Sequence, residues 1–359
     1  MLNRHEKDIA KYLLLDNVSL KKAIGQMNET GEKVLFVIDA AGALIGALSD
    51  GDIRKGILKE GGMAVSVAEV FNMKPIYVHE NCELSHVKKI MLDLKITNVP
   101  VVNTEHQIVD VLNWDQVFRN GIERPQSKID IPVVIMAGGK GKRLAPFTHV
   151  LPKPMIPIGD KTIIEIIMDK FHEYGVKRFF LSVNHMAPLI KAYLLDMVSH
   201  YAINYIEEEK PLGTAGSLRL LLGCPEKQFF VTNCDIIIES DLADMVAYHN
   251  EEAFDMTIIV SQMHYEIPYG ICEIVNGGHL AGITEKPIYN LLVNTGMYIV
   301  NRSVLELIPE NKKLDIPDLI SVAQENQLRV GVFPVDEKSW IDVGQWEEYH
   351  KAVNKLLYH

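Results

Sequence analysis

Apolar positions in the first third of the chain recur at one constant offset. A shift of 64 positions pairs Leu20 with Leu84, Ala23 with Val87 and Met27 with Met91. It also pairs Val37 with Val101, Ile38 with Val102, Leu44 with Ile108, Leu48 with Leu112 and Ile53 with Val117. Within a copy, helical spacing at Leu20, Ala23 and Met27 gives way to short apolar runs. In the first copy these are Val34–Asp39 and Leu44–Leu48, divided by a turn at Ala41-Gly42. Each copy therefore predicts a helix, two strands and a closing helix. One offset that holds across both kinds of element marks an internal duplication.

The stretch Asn120–Lys128 is polar, holds Gly and Pro, and breaks both periodicities, so it reads as a linker. Beyond Ile131, apolar strands alternate with amphipathic helices. Strands are expected at Pro132–Met136, Lys177–Asn184, Tyr201–Ile206 and Gln228–Thr232, and helices at Thr162–Tyr174 and near Pro188–Val198. This order predicts an α/β, Rossmann-like domain whose mostly parallel sheet is covered by helices on both faces. Such sheets take ligands at the carboxyl ends of their strands. The expected division is a duplicated module at 1–122 (repeats about 8–65 and 66–122), a linker at 123–130 and a second domain at 131–359.

Composition narrows the function. The chain has 359 residues, 48% apolar and 23% charged, as ordinary folded proteins do. Its formal charge of −11 argues against a nucleic-acid partner, because that binding relies on a basic field. An anionic substrate must then be met by local Lys and Arg. Cys82, Cys224, Cys234 and Cys272 show no CxxC pair and no regular spacing, so neither zinc nor paired disulfides are expected and a reducing cytoplasm is. Met1–Lys11 is charged with no apolar core behind it, so no signal peptide is read. Apolar runs such as Val133–Ala137 and Met256–Val260 fall far short of the ~20 residues of a membrane span, and no membrane partner is expected.

The first strand of the second domain runs into Ala137-Gly138-Gly139-Lys140-Gly141-Lys142-Arg143-Leu144. Glycines directly after a strand let backbone N–H groups approach a polyphosphate, and Lys and Arg supply charge. Two common phosphate loops are excluded. No Ser or Thr follows Lys142, as a Walker loop requires, and Leu144 stands where a dinucleotide fingerprint wants its third glycine. Further along come Leu151-Pro152-Lys153-Pro154-Met155, Leu212-Gly213-Thr214-Ala215-Gly216 and Thr232-Asn233-Cys234-Asp235, the last placing an aspartate at a strand's carboxyl end. Tyr269-Gly270, Glu285-Lys286-Pro287, Asn294-Thr295-Gly296 and Trp340-Ile341-Asp342-Val343-Gly344 complete the series. Segment by segment and in order, it resembles the sugar-phosphate nucleotidyltransferases, whose motifs read G-x-G-x-R-L, P-K-P-M, L-G-T-A-G and N-G-D. Cys234 departs from the usual glycine, which is expected to displace that loop slightly.

The resemblance implies a GT-A-like catalytic domain. It implies nucleotide contacts from Ala137, Gly138, Gly139, Gly141, Arg143, Lys153, Glu209, Pro211, Gly213, Thr214 and Asp235. It puts a sugar-phosphate pocket at Tyr269, Gly270, Glu285, Lys286, Asn294 and Thr295, and Mg²⁺ at Asp235 and Asp342. Arg143, Lys153, Asp235 and Lys286 carry the expected catalysis. A sugar 1-phosphate, with a second pKa of about 6, is already largely dianionic at neutral pH and needs no general base to attack the α-phosphorus of a nucleoside triphosphate. The remaining task is to bring two anions together and stabilise the departing pyrophosphate, which calls for cations. Taken singly, each residue has a plainer explanation: Asp235 as a helix N-cap, Lys286 as a solvated charge, Asp342 as a loop hydrogen-bonder.

The duplicated module resembles the tandem CBS (Bateman) module, an α+β pair that binds nucleotides between its copies. Its Ser/Thr-x-x-Asp motif stands in the first copy as Ser49-Asp50-Gly51-Asp52, implying a regulatory purine nucleotide at Ser49, Asp52 and Arg54. The second copy departs from the motif, with Asn113 and Gln116 at the shifted positions. The alternative is that Ser49 and Asp52 simply cap the helix beginning near Ile53. The combined arrangement is similar to CBS-fused guanylyltransferases that act on glucosamine 1-phosphate in legionaminic acid synthesis, so GTP and that sugar phosphate are implied. Open alternatives are dTTP, CTP or UTP, mannose or heptose 1-phosphate, and a non-catalytic nucleotide-sugar sensor. Guanine presents donors that Glu207–Glu209 could accept, although a solvated acidic run is the plainer reading. Both family resemblances imply a homo-oligomer.

Overall fold

The structure is a computed structural model that describes residues 9–30, 32–57, 65–94, 96–118, 128–195, 201–208 and 210–358. Within its helices and strands the side chains of residues 50, 54, 55, 57, 115, 264, 266, 288, 290, 357 and 358 are not among those described. Most of the expected linker, the helix end at Val198, Glu209 and the Arg54 side chain therefore lie outside the described residues. The chain divides into two compact units, one of Met1–Val117 with His264–Leu291 and one of Phe118–Met263 with Leu292–His359.

In the first unit, β1 (Leu13–Leu15), α1 (Leu20–Thr30), β2 (Val34–Ile38), β3 (Leu44–Ser49) and α2 (Asp50–Ile57) form one copy. β4 (Val78–His79), α3 (Leu84–Leu94), β5 (Asn98–Val102), β6 (Ile108–Asn113) and α4 (Trp114–Phe118) form the other. The bounds of α1, β2 and β3 reappear 64 positions later in α3, β5 and β6. Pairing repeats as well. Leu14 lies opposite Val37 in a parallel pair, and Val78 lies opposite Val101. The antiparallel pairs β2–β3 and β5–β6 each slip at the equivalent point, Val37/Ile38 and Val101/Val102. The helical stripe Leu20, Ala23 and Met27 packs with Leu35, Val37 and Leu48, as a 3.6-residue period against a strand face requires. A smaller core joins the copies, with Tyr12, Phe36 and Leu44 against Val102 and Val111.

Each copy also starts its closing helix in the same way. Ser49 Oγ donates to Asp52 Oδ2 at 2.7 Å, and the Asp52 N–H donates back to Ser49 Oγ at 3.2 Å. In the second copy the Gln116 N–H donates to Asn113 Oδ1 at 2.8 Å, and the Asn113 N–H to Gln116 Oε1 at 3.0 Å. These reciprocal caps satisfy backbone N–H groups that a helix start leaves unpaired. Ser49 and Asp52 are thus bonded to each other, as the capping alternative has it.

The second unit contains β7 (Val133–Met136), the ribbon β8–β9 (Pro157–Ile158 and Lys161–Thr162), α5 (Ile163–Glu173), β10 (Arg178–Val183), α6 (Ala187–Leu194) and β11 (Ala202–Glu207). Then come α7 (Gly213–Gly216), β12 (Gln228–Asn233), β13 (Ile236–Ile238), α8 (Leu242–Glu251) and β14 (Met256–Glu266). The hairpin β15–β16 (Ile271–Val275, His279–Thr284) falls in the first unit. It is followed by β17 (Ile288–Asn301), α9 (Ile316–Glu325), β18 (Val330–Val335), β19 (Trp340–Asp342) and α10 (Trp346–Tyr358). The central sheet has the order β11-β10-β7-β12-β17-β14-β18. β11, β10, β7 and β12 run parallel, β12 and β17 antiparallel, and β14 and β18 parallel. Val133, Val134 and Ile135 are fully buried, the expected state of a central strand covered on both faces. Among the described residues no helix is long and apolar enough to cross a membrane. All four cysteines are free.

Because the two caps are equivalent, Ser49→Ala and Asn113→Ala should each lower the unfolding free energy by about 1 kcal/mol. Urea titration followed by circular dichroism reads this, and a loss confined to one copy would contradict the equivalence.

Candidate active site

The loop after β7 begins in register, the Ala137 N–H donating to Ser182 O at 2.8 Å. At Gly141 the backbone is left-handed (φ +59°), and a Cβ would lie 2.8 Å from Thr148 Cγ2 and 3.0 Å from Lys153 Cβ. Glycine is required there both by conformation and by the closeness of Lys153. Gly139 differs: nothing lies within 4 Å of where its Cβ would stand. Protein packing therefore does not dictate that glycine. Buried Leu144 anchors the turn Lys142–Leu144 and leaves Arg143 exposed. The Trp346 indole N–H donates to Ala145 O at 3.0 Å, and its ring meets Phe147 edge-on at 4.9 Å, so α10 buttresses the loop. The motif reading missed Trp346. Its only sequence signal was an aromatic just past Asp342-Val343-Gly344.

Asp235 follows β12, and β13 begins at once. β13 pairs antiparallel with β19 so that Ile236 lies opposite Asp342, and the Val343 N–H donates to Asp235 O at 2.9 Å. A Cβ on Gly344 would lie 2.5 Å from Asp235 Oδ2, 2.8 Å from Asp342 Oδ1 and 3.3 Å from Lys153 Nζ. Two carboxylates and an ammonium thus surround one point, which only glycine leaves open. Lys153 Nζ donates to Asp235 Oδ2, a counter-charge that a carboxylate only 5% exposed requires. Asp342 Oδ1 accepts the Gly344 N–H at 2.7 Å. Burial pushes the Asp342 carboxyl above the usual range and Asp235 adds to the rise, while the Gly344 N–H, Lys153 and Arg143 oppose it. Arg143 is therefore within electrostatic reach of the pair. Cys234 is buried, its thiol pushed up to about 12 by desolvation, so it is an unreactive packing residue. Its φ is not left-handed, and cysteine fits where the motif has glycine with Asp235 still bonded to Lys153.

Among the described residues no set of three or more His, Cys, Asp or Glu side chains forms a closed metal cage. A carboxylate pair at a strand end suits a hard cation such as Mg²⁺, which takes one or two carboxylates and completes its shell with phosphate oxygens and water.

At the carboxyl ends of β10 and β11, Glu208 accepts Ser182 Oγ–H on one oxygen at 2.6 Å and the Leu212 N–H on the other at 2.8 Å. Glu207 pairs with Lys191 at 2.5 Å. Both acidic side chains are engaged within the protein rather than offered to a base. The Leu212–Gly216 turn is tied to the start of α9. The Thr214 N–H donates to Asp315 Oδ1 and the Ile316 N–H to Thr214 Oγ1, each at 2.9 Å. Close packing at Gly213 is equally tight, since a Cβ would lie 2.4 Å from Leu314 O. Pro211, just before the turn, is exposed.

Asn294-Thr295-Gly296 lies in β17 beside the Asp235 loop, with Asn233 Nδ2 2.5 Å from where a Cβ on Gly296 would be. Asn294 Nδ2 donates to Tyr298 OH at 2.8 Å, and buried Thr295 Oγ1 donates to Ile259 O at 2.8 Å. In the first unit, Tyr269-Gly270 and Glu285-Lys286 come together. A Cβ on Gly270 would lie 2.7 Å from Glu285 Oε2, and the Ile267 N–H donates to Pro287 O at 3.1 Å. The motif residues thus form two sets, one in each unit.

A nucleotidyl transferase family model matches residues 132–358, and a CBS domain model matches residues 67–122, the second copy. A UTP–glucose-1-phosphate uridylyltransferase of Synechocystis is 29% identical over 62% of this chain and 63% of its own length. A mannose-1-phosphate guanyltransferase of Schizosaccharomyces pombe is 32% identical over 60% of this chain and 61% of its own. The chain thus spans about three fifths of the length of these relatives. Among solved structures, HddC from Yersinia pseudotuberculosis aligns with a TM-score of 0.51 at 27% identity, covering 63% of this chain and 99% of HddC. HddC is also known complexed with GMP-PN. The family match takes in well over half of the chain and includes both aspartates, the glycine loop and Lys153, and the chain therefore belongs to the nucleotidyl transferase family.

Proposed function

We propose that this chain transfers a nucleoside monophosphate from a nucleoside triphosphate to a sugar 1-phosphate, releasing pyrophosphate and forming a nucleotide sugar. The observation that carries this reading is the convergence of Asp235, Asp342 and Lys153 on one point beside a glycine loop. A sugar-phosphate oxygen attacks the α-phosphorus, the bond from that phosphorus to the oxygen bridging to the β-phosphate breaks, and pyrophosphate departs with the electron pair. No proton has to be moved, because the attacking phosphate is already ionised. Asp235 and Asp342 hold Mg²⁺, which when bound supplies positive charge against the phosphates. Lys153 and Arg143 neutralise the nucleotide phosphates, and the open backbone at Gly139 lets its N–H approach them. Pro211, Gly213 and Thr214 border the nucleoside through the backbone. The family resemblance assigns Lys286 to the sugar phosphate, and Glu285, Tyr269 and Asn294 to the sugar.

The substrate pair we favour is GTP with glucosamine 1-phosphate, giving GDP-glucosamine for legionaminic acid synthesis. Support for guanine comes from the guanyltransferase names among the relatives and the HddC complex with GMP-PN. The division at 1–122, 123–130 and 131–359 makes the N-terminal part a tandem CBS module, and a purine nucleotide there would replace the Ser49–Asp52 bond. We expect a cytoplasmic homo-oligomer, working where nucleoside triphosphates are made.

Asp235→Asn and Asp342→Asn should each lower turnover by roughly a thousandfold or more while leaving the circular dichroism spectrum unchanged. Near-normal pyrophosphate release from both variants would remove the metal assignment. Pyrophosphate release from GTP, UTP, CTP and dTTP, each with glucosamine, glucose, mannose and heptose 1-phosphates, should be greatest for GTP with glucosamine 1-phosphate. A preference for another triphosphate overturns the guanylyl reading, and binding without turnover in any combination overturns the enzyme. Repeating the best pair with added AMP or GMP reads regulation, and unchanged rates would leave the module a structural one.

A further inference from the structure

Along α10, Trp346, Tyr349, Ala352 and Lys355 recur at three-residue spacing and form one stripe down the helix. Glu347, His350, Lys351 and Asn354 lie on the opposite, exposed face. Ala352 is buried, and the other three side chains of the stripe reach out to different segments. The Trp346 indole N–H donates to Ala145 O, two positions after Arg143. Tyr349 OH donates to Pro157 O at 2.6 Å, four positions after Lys153. Lys355 Nζ pairs with Glu239 Oε2 at 2.6 Å, just beyond β13, and also donates to Lys338 O, just ahead of β19. One helix, beginning four positions after Asp342, thus touches every segment that brings a charged group to the carboxylate pair.

We infer that α10 is a strap that holds the segments of Arg143 and Lys153 in place against the carboxylate pair, with Trp346 and Tyr349 as its positioning residues. This rests on the transferase reading and deepens it. The β13–β19 ladder fixes Asp235 to Asp342 through the backbone. Arg143 and Lys153 act instead through long, flexible side chains, so their aim depends on where their own backbones are held. Trp346 and Tyr349 grip carbonyl oxygens, which fixes that backbone directly, and the Trp346 ring adds its edge-on contact with Phe147 at 4.9 Å. Because α10 grows out of Asp342-Val343-Gly344, the same bonds tie both cations to the second aspartate through a few residues of chain. Lys355 closes the far end, joining the segment that leaves β13 to the one that enters β19. A displacement of about 1 Å at a reacting centre can cost on the order of a hundredfold in rate, so a strap remote from the phosphates still governs turnover.

Hydrogen exchange and steady-state kinetics of the full-length protein test the strap together. Trp346→Phe and Tyr349→Phe each remove one donor and keep a ring. Trp346→Phe should speed exchange roughly tenfold in peptides spanning 138–146, and Tyr349→Phe in peptides spanning 153–158. Peptides of β12 and β17 should exchange as in wild type, which general destabilisation would not allow. With the fastest of the triphosphate and sugar 1-phosphate pairs compared above, kcat/KM for the triphosphate should fall roughly three- to tenfold in each variant, as loss of one hydrogen bond implies. KM for the sugar 1-phosphate should stay at its wild-type value. Lys351→Gln, on the exposed face of the same helix, should match wild type in both measurements. Unchanged exchange in both variants, equal acceleration in β12 and β17, or wild-type kcat/KM for the triphosphate overturns the inference. The two readings fail separately. Turnover by wild type with unaltered exchange and kinetics in the variants removes the strap alone, whereas local exchange accelerated in the variants without turnover in wild type removes the transferase alone.

Discussion

The short antiparallel pair β13–β19 is the constraint on which the candidate site depends. It joins the strand that follows Asp235 to the strand that ends at Asp342, and sets Ile236 opposite Asp342. Left to electrostatics, two carboxylates this close in a partly buried setting would repel by a few kcal/mol at an effective interior dielectric. The backbone ladder, the Val343 N–H on Asp235 O and the Gly344 N–H on Asp342 Oδ1 hold them there. Lys153 supplies the counter-charge, and the raised pKa of Asp342 records the repulsion and desolvation that remain. Preorganised charge of this kind is what phosphoryl chemistry requires, because the field must exist before the substrate arrives.

The N-terminal duplication shows geometry preserved while chemistry changes. Ser49 with Asp52 and Asn113 with Gln116 make the same reciprocal cap, with different donors and acceptors. For a helix start the substitution is nearly neutral, since either pair satisfies the backbone. For a ligand it is not neutral, because only the first pair carries a carboxylate able to accept strongly from hydroxyls. The two copies are thus equivalent as scaffold and unequal as binding surfaces.

Much of the fold could be read from periodicity. The offset located the copies to the residue, because a duplicated core must bury the same stripe twice, and the strand–helix alternation after Ile131 gave a mostly parallel sheet. What could not be read was pairing between distant segments. Nothing in the local pattern of Trp340–Asp342 says that it pairs with Ile236–Ile238 rather than joining the central sheet. Nor does local pattern reveal that Trp346 closes on Ala145. These depend on where the chain returns, which is a property of the whole core.

The motif residues also separate into those left open and those already engaged, a distinction that residue type alone hides. Thr214 and Thr295 sit in motifs associated with substrate. Yet Thr214 Oγ1 accepts the Ile316 N–H and Thr295 Oγ1 donates to Ile259 O, so their hydroxyls fix α9 and β14 in place. Glu208 likewise uses both carboxylate oxygens to join β10 to the Leu212 turn. Releasing any of these groups toward a ligand would leave a protein N–H or carbonyl without its partner, a cost of about 1–3 kcal/mol that binding would first have to overcome. Gly139 and Arg143 have no such obligations among the described residues. Residues whose bonds are already made shape the site, and apart from Lys153, whose ammonium is shared with Asp235, contact with phosphate falls to those whose donors remain unpaired.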